Sequence, residues 1–327
     1  MTSEINPVFR QFPLLVILGP TASGKTHLAT HVADQLNGEI ISADSRQVYR
    51  DMTIGTGKDL EEYCINGKNI PYHLIDILDA GQQYNVSEYQ ADFCLAFLQV
   101  AAEGHCPVVC GGTGFYIHSV LQGHAYFSIP VSETLRTALE SLSTTELLAR
   151  FQEMDTSYRN LADTSTRKRL IRAIEISTFL KENPEEQNQF TRNSPTYQSI
   201  VFGLNPPLDV RRERISRRLK FRLENGLIEE VEALLARGLT PAQLIYYGLE
   251  YKYVTNYLTG QLPYQEMAKQ LETEIHRFAK RQMTFFRKME KDGIQIRWLD
   301  FDLPDEEQIR IVTAAYKEFQ HKMIAET

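Results

Sequence analysis

The sequence lacks the features that would mark a membrane, secreted or zinc-stabilised protein. Its 327 residues include only four cysteines, whose spacing matches neither a zinc finger nor a disulfide framework, so we expect them to be reduced. No apolar run approaches the roughly 20 residues that a membrane-spanning helix requires. The N-terminal residues contain no basic region followed by a long apolar stretch. We therefore expect a cytoplasmic protein without a signal peptide or a membrane partner.

An excess of basic residues is also missing. The formal net charge is -7, which argues against a protein coated with nucleic acid, although a net charge describes the average surface and a binding site is local. Hydrophobic residues at 43% and charged residues at 24% are ordinary globular values. A chain of this length can bury one large core together with a smaller appended unit. We therefore expect a core with an insert.

Strand and helix patterns alternate in the first third of the chain. Apolar residues are continuous from Leu14 to Leu18 and then recur at helical spacing up to Leu36, before Asn37 and Gly38. The predicted elements are a strand at 14–18, a helix at 28–36, strands at 39–43 and 107–110, and a helix at 114–121. This alternation predicts an α/β fold in which helices flank a parallel sheet.

The strand pattern disappears in the middle of the chain. Residues 126–199 are polar and helical in pattern, and 183–195 are rich in proline, glutamate, glutamine and asparagine. We therefore predict an inserted all-helical domain at 126–199 within a core made of 12–125 and 200–327. For the second part of the core we predict a strand at 199–204, long helices at 211–237 and 263–291, and a last strand at 294–299.

A glycine-rich loop joins the first strand to the first helix. It follows the pattern G-x-x-x-x-G-K-[ST] in the strand–loop–helix context that this motif requires. Backbone N–H groups, the helix N-terminus and the Lys25 ammonium can bind phosphate oxygens there, and the Thr26 hydroxyl can ligate Mg²⁺. The predicted phosphate-binding residues are Gly19, Pro20, Thr21, Ala22, Ser23, Gly24, Lys25 and Thr26. The alternative is a glycine-rich turn with a solvated lysine.

Two more polar loops follow predicted strands. Asp44 comes directly after the second strand, and Thr113 follows the Gly111-Gly112 pair after a later one. Because the carboxyl ends of neighbouring parallel strands line one crevice, both residues should face the phosphate loop. Asp44 can act as a base, although a loop cap or a ligand of a Mg²⁺-bound water is an alternative. Thr113 can bind a leaving pyrophosphate, whereas a lone glycine pair usually means only a tight turn.

Basic residues form three clusters. The first comprises Arg167, Lys168, Arg169 and Arg172; the second comprises Arg211, Arg212, Arg214, Arg217, Arg218, Lys220 and Arg222; the third comprises Arg277, Lys280, Arg281, Arg287 and Lys288, interleaved with Phe278, Phe285 and Phe286. Arg214 and Arg218 share a helix face and can clamp an anion. Basic residues mixed with aromatics suit single-stranded RNA. A solvated face is the simpler interpretation of any one cluster, but three in an acidic chain favour an RNA partner.

Seven blocks of the sequence, taken in order, resemble the tRNA dimethylallyltransferase (isopentenyltransferase) family. They are GPTASGKT, SADSRQVYRDMTIGTGK, HLIDIL, PVVCGGTGFYI, RKRLIRAIEI, RLENGLIEEVEALLARGL and HRFAKRQMTFFRK, and the likeness spans about residues 14–300. The resemblance implies a P-loop kinase-like core whose helical insert helps to grip a tRNA anticodon stem-loop. It also implies transfer of a dimethylallyl group from dimethylallyl pyrophosphate to N6 of the adenosine 3'-adjacent to the anticodon. We expect a monomer with Mg²⁺ as its cofactor.

The resemblance assigns roles to individual residues. Asp44 would be the general base toward N6, with Ser45, Arg46 and Gln47 near the adenine. Residues 21–26, Thr113 and one of Arg214 or Arg218 would hold the pyrophosphate. Contacts with tRNA are expected from Lys168, Arg169, Leu170, Ile171, Arg172, Lys280, Arg281 and Gln282. These roles suit the chemistry, because a departing pyrophosphate must be stabilised by donors, arginine and a cation.

The sequence departs from the family pattern at Gly248-Leu249-Glu250, where the family usually has Gly-Tyr followed by a basic residue.

Three other functions are compatible with parts of the sequence. A small-molecule P-loop kinase would use the second basic cluster as a lid over ATP. An enzyme that prenylates free AMP or ADP would leave the helical insert without a macromolecule to grip. A non-catalytic RNA-binding module would leave the phosphate loop and Asp44 unexplained.

Overall fold

The computed structural model describes residues 12–122, 126, 129–156, 158–160, 162–185 and 197–325. The chain forms two compact units, one made of Met1–Leu121 and Tyr197–Thr327 and the other of Gln122–Thr196. The predicted insert, 126–199, begins and ends a few residues later than the second unit. Of the polar stretch predicted at 183–195, residues 186–195 lie outside the described part.

The strands that the structure describes all belong to the first unit. They are β1 (Leu14–Leu18), β2 (Gly38–Ser42), β3 (Cys64–Ile65), β4 (Lys68–Asn69), β5 (Tyr72–His73), β6 (Cys106–Gly111), β7 (Ser199–Gly203) and β8 (Ile296–Trp298). The α-helices are α1 (Lys25–Leu36), α2 (Val86–Ala102), α3 (Gly114–Gln122), α4 (Glu133–Glu140), α5 (Thr144–Gln152), α6 (Arg167–Glu182), α7 (Leu208–Glu224), α8 (Leu227–Ala236), α9 (Pro241–Tyr246), α10 (Leu249–Leu258), α11 (Tyr264–Lys291) and α12 (Asp305–Ala325).

Six parallel strands form the central sheet in the order β5-β2-β6-β1-β7-β8. β1 is wholly buried, as expected for a strand that is apolar along its whole length. Its alternate side chains enter two different cores: Leu14, Val16 and Leu18 pack on one face, and Leu15 and Ile17 on the other. The predicted parallel sheet flanked by helices is confirmed.

One predicted helix is wrong and several elements were not predicted. The pattern at 211–237 was interpreted as a single helix, but the structure has α7 and α8 separated at Asn225 and Gly226. Gly226 has φ 101°, in the left-handed region that glycine adopts at little cost, so the helix ends there. The unpredicted elements are α2, α9, α10, α12, β3, β4 and β5. For α2 a local signal existed, since Asn85 and Glu88 form a reciprocal capping box.

The described residues of the second unit contain helices and no strand. Its core is built from α4, α5 and α6 around Leu139, Leu147, Phe151, Leu170 and Ile174. α6 begins after Thr166, whose side chain accepts a hydrogen bond from the Arg169 amide. The apolar residues at helical spacing along α6 therefore serve the packing of this unit.

Candidate functional site

A cavity of about 750 Å³ lies where β1, β2 and β6 end at the carboxyl edge of the sheet. Its lining comes from the first unit and includes Thr21–Thr26, Asp44–Gln47, Gly55–Gly57, Thr113, Arg214, Arg217, Arg218, Arg222, Phe278, Arg281 and Gln282. The volume falls within the roughly 300–1,000 Å³ of small-molecule sites. The fold thus brings together the phosphate loop, Asp44, Thr113 and both predicted arginines, which are far apart in sequence.

The phosphate loop turns sharply into α1. Gly24 has φ 89°, which lets helix α1 begin at Lys25 with its free N–H groups toward the cavity. A Cβ atom at Gly19 would lie 2.6 Å from Ser23 Oγ and 2.8 Å from the Leu204 carbonyl oxygen, so only glycine fits there. Burial lowers the pKa of the Lys25 ammonium. A bound polyanion would offset that effect by favouring the charged form.

The arginines of α7 differ in their partners. Arg218 and Arg222 both pair with Asp59, the latter at 3.5 Å. Arg214 has no ion-pair partner among the described residues; its guanidinium lies 5.2 Å from the centre of the Phe301 ring. One Arg214 nitrogen would lie 3.9 Å from a Cβ atom placed on Gly24, so this side chain is beside the phosphate loop. Of the two predicted arginines, Arg214 is the one that an incoming phosphate would meet without competition.

Asp44 and Thr113 lie on adjoining loops. The Ser45 amide donates a hydrogen bond to Thr113 Oγ1 at 3.0 Å, which ties the end of β2 to the end of β6. The Arg46 amide donates to Asp44 Oδ1 at 2.9 Å. The second carboxylate oxygen of Asp44, Oδ2, has no hydrogen-bond donor among the residues that the structure describes, and the residue lines the cavity. Asp44 is therefore placed to accept a hydrogen bond or a proton from a bound molecule.

Gln282 is a buried link between two loops. Its Nε2 donates to the Gly112 carbonyl at 2.9 Å, and its Oε1 accepts from the Thr21 amide at 2.9 Å. This role differs from the predicted tRNA contact, because both ends of the amide are already engaged by the protein. The neighbouring Lys280 and Arg281 are exposed, and Arg281 lines the cavity next to the exposed Phe278 ring.

Three of the acidic residues in the cavity were not predicted from the sequence. Asp59, Glu62 and Glu250 line it together with the arginines of α7. Burial raises the pKa of Glu62, and the nearby charge of Asp59 adds to that rise. Burial also raises the pKa of Glu250, the residue at the point where the sequence departs from the family pattern. Asp59 follows the Ile54–Lys58 motif directly, but nothing in its local sequence indicates that it would face Arg218.

The predicted tRNA-binding segment 168–172 belongs to the second unit, on α6. The side chains of Leu170 and Ile171 are buried in the core of that unit, so they can offer RNA no contact. Arg172 donates to the Ile129 carbonyl at 2.6 Å and pairs with the buried Glu175 at 3.4 Å. Lys168 and Arg169 are exposed. Contact with tRNA stays a prediction, for which Lys168 and Arg169 are the exposed candidates in this segment.

Comparison with known proteins gives a consistent result. A family model described as IPP transferase matches residues 47–289, and one described as isopentenyl transferase matches residues 12–72. The chain is 52% identical over 308 residues to tRNA dimethylallyltransferase 2 of Bacteroides fragilis, covering 94% of this chain and 99% of that protein. It is 46% identical to tRNA dimethylallyltransferase 2 of Trichlorobacter lovleyi, covering 88% and 92%.

Solved structures show the same fold. The full-length tRNA isopentenylpyrophosphate transferase of Bacillus halodurans superposes with a TM-score of 0.69 at 31% identity, covering 96% of this chain and 98% of that one. A eukaryotic dimethylallyltransferase acting on tRNA superposes with a TM-score of 0.72 at 23% identity, which bears on the fold alone.

Proposed function

This chain belongs to the IPP transferase family and prenylates tRNA as a tRNA dimethylallyltransferase, and from that premise we propose how its cavity carries out the transfer. The donor is dimethylallyl pyrophosphate, and the acceptor is N6 of the adenosine 3'-adjacent to the anticodon. The observation that supports this assignment is the placement of Asp44, Thr113 and the phosphate loop on the wall of one cavity. The proposed base, Asp44, and the proposed pyrophosphate site thus line the same cavity.

Asp44 is the general base in this proposal. The N6 nitrogen attacks the C1 carbon of the dimethylallyl group, the bond from C1 to the pyrophosphate oxygen breaks, and the N6 proton passes to the Asp44 carboxylate. Thr113 holds the two loops in register through the Ser45 amide and lies beside the path of the leaving group. Ser45, Arg46 and Gln47 border the adenine.

The phosphate loop and Arg214 serve the leaving group. No phosphoryl group is transferred, so the loop acts by stabilising the charge that develops on pyrophosphate as the carbon–oxygen bond breaks. Residues 21–26 supply backbone N–H groups and the Lys25 ammonium, and Arg214 supplies a guanidinium that no carboxylate occupies among the described residues. Arg218 can join once pyrophosphate replaces Asp59 as its partner.

The oxygen-rich lining of the cavity fits Mg²⁺. The Thr26 hydroxyl and the Glu62 carboxylate are hard oxygen ligands of the kind that this ion prefers. When bound, Mg²⁺ would neutralise part of the pyrophosphate charge. Its positive charge would also oppose the rise in the pKa of Glu62 that burial causes.

The remaining expectations concern partners and location. We propose that exposed Lys168, Arg169, Lys280 and Arg281 contact tRNA phosphates. All four cysteines are free, which agrees with a reducing, cytoplasmic setting. No helix among the described residues has the length and apolar character needed to cross a bilayer. A monomeric state remains our proposal. The relatives named tRNA dimethylallyltransferase favour tRNA prenylation over the kinase and free-nucleotide alternatives.

Asp44→Asn tests the proposal, because it keeps the size and polarity of the side chain while removing its basicity. We expect the single-turnover rate with unmodified tRNA to fall by about 10²–10⁴-fold, with donor affinity nearly unchanged. Asp51→Asn is the matched control, since Asp51 pairs with Arg237 at the surface and does not line the cavity. A collapse of donor affinity would instead assign Asp44 to the metal, and an unchanged rate would remove it from the chemistry.

A further inference from the structure

Residues 53–58 form a loop, named the 53–58 loop below. Its first three residues are hydrogen-bonded to one carboxylate from helix α8. Glu230 Oε2 accepts hydrogen bonds from the Thr53 amide at 2.8 Å and the Ile54 amide at 2.7 Å. Glu230 Oε1 accepts from the Gly55 amide at 2.9 Å and from the Tyr251 hydroxyl at 2.6 Å. Three successive backbone donors thus converge on one anion, and hydrogen bonds to an ionised acceptor are stronger than neutral ones.

The fit of the loop to its surroundings is tight. A Cβ atom at Gly55 would lie 2.6 Å from the ring of Tyr251, which itself is buried and bonded to Glu230. At the far end of the loop, the buried Lys58 donates to the Tyr49 carbonyl at 2.7 Å and pairs with Asp76. The loop therefore has two anchors, of which Glu230 holds the first three residues.

The 53–58 loop in turn holds residues of the site. The Gly57 carbonyl accepts a hydrogen bond from Gln47 Nε2 at 3.0 Å, and Arg218 reaches the same carbonyl at 3.4 Å. Gln47 lies in the turn that begins with Asp44. Glu230 does not itself line the cavity. A chain of contacts thus runs from Glu230 through the loop to the turn that carries the proposed base.

We infer that Glu230 is a positioning residue for prenyl transfer, which holds the 53–58 loop so that Gly57 fixes Gln47 beside Asp44. The inference rests on the proposed function, since it assumes that the Asp44–Gln47 turn orients the adenine. Displacing a reacting group by about 1 Å can cost about 10²-fold in rate, so loss of the anchor acts on the chemical step. Among the described residues, neither the phosphate loop nor Arg214 has a hydrogen bond with Glu230, whereas Arg218 reaches the Gly57 carbonyl, so donor affinity should change much less than the rate of the chemical step.

Glu230→Gln is the test, with Glu229→Gln as its control. The amide side chain replaces one acceptor oxygen by an NH₂ group, which faces the donors that the oxygen served, whereas Glu229 is exposed on the same helix. For Glu230→Gln we expect the single-turnover rate with tRNA to fall about 10–100-fold. We expect hydrogen exchange at the amides of residues 53–57 to rise about tenfold or more, and donor affinity to stay within about threefold. Glu229→Gln should match the wild type in all three.

Several results would overturn the inference. Unchanged exchange at residues 53–57 would show that the loop does not depend on Glu230. Faster exchange at residues 53–57 with an unchanged single-turnover rate would mean that Glu230 stabilises the loop without affecting the reaction. Faster exchange over the whole chain together with a lower Tm would mean that Glu230 stabilises the fold in general. If Glu230→Gln does not fold, Tyr251→Phe removes one bond to Glu230 while keeping the ring, and a smaller loss of rate, about threefold to tenfold, is expected. Failure of the wild type to prenylate tRNA would instead refute the proposed function. The hydrogen-exchange measurement would still test whether Glu230 holds the 53–58 loop in place.

Discussion

Two arginine-rich helices of this protein look alike in sequence and differ in what their arginines do. In α7, Arg214, Arg218 and Arg222 line the cavity, and the last two share Asp59. In α6, Arg167 donates to the carbonyls of Glu140 and Leu142, and Arg172 donates to Ile129 and pairs with Glu175, so these two guanidiniums serve their own unit. A run of basic residues in the sequence can therefore serve a ligand site or the fold itself. The carboxylates and carbonyls that each arginine contacts decide between the two roles.

The two helices differ in the free-energy cost of separating each guanidinium from its present partners. An arginine that satisfies buried carbonyls and a buried carboxylate cannot leave them without a large desolvation penalty. Glu175 is buried and depends on Arg136 and Arg172 for its pairing. Arg218 pairs with Asp59, which is about two-fifths exposed, and water can solvate that carboxylate if the pair opens. Arg218 can therefore exchange Asp59 for a bound anion, whereas Arg172 cannot leave its partners at a comparable cost.

The largest effect that would sharpen this contrast is expected at Arg214. Arg214→Gln removes a guanidinium that lies beside the phosphate loop and has no ion-pair partner among the described residues, so we expect kcat/KM for the donor to fall about 10²–10³-fold. Thermal stability should hardly change. Arg212→Gln, an exposed position on the same helix, should behave like the wild type. Equal losses in the two variants, measured by steady-state kinetics, would break the distinction between cavity-facing and solvent-facing arginines.

Arg172 should show the opposite behaviour. Arg172→Gln leaves Arg136 as the ion-pair partner of Glu175 and removes the donor to the carbonyl of the buried Ile129, so we expect a loss of about 1–3 kcal/mol in the unfolding free energy of the second unit. Arg169→Gln is the matched comparison, because Arg169 is exposed and pairs with the equally exposed Asp163. It should change stability by less than about 0.5 kcal/mol but flatten the salt dependence of tRNA binding. Denaturant unfolding measures the stability of both variants, and tRNA binding at several salt concentrations measures the salt dependence. An Arg172→Gln variant as stable as the wild type would contradict the structural role of Arg172.

The smallest effect is expected at Asp59, the acidic partner of α7. Asp59→Asn removes the charge that competes with pyrophosphate for Arg218 and Arg222, so we expect donor affinity to rise by about twofold to tenfold. Asp79→Asn serves as a control, since Asp79 pairs with Arg50 outside the cavity. Calorimetric titration with inorganic pyrophosphate measures the affinity for the anionic part of the donor, which is the part that competes with Asp59. Weaker binding in Asp59→Asn would mean that the carboxylate orders the arginines instead of competing for them.

Much of the fold could be predicted because its signals are local. The phosphate loop, β1 and α1 follow from a glycine pattern and from apolar periodicity within one stretch of chain, and the structure has them where they were expected. The break between α7 and α8 was missed although Asn225-Gly226 stood at the position, because the helical pattern on both sides was stronger than this short signal. The short strand β5 and helices α9 and α10 were missed because their patterns are too brief to separate from loop.

The sequence by itself determined the chemistry available to this protein: a phosphate loop, an aspartate after a strand, and arginines at helical spacing. Only the tertiary structure decided which of these groups meet. Gln282 reaches the Thr21 amide across 261 positions, and Glu230 reaches the Thr53 amide across 177. Such contacts leave no trace in local periodicity, because a hydrogen bond depends on distance and direction in the folded chain. The same reason explains why two similar arginine runs came to have different roles.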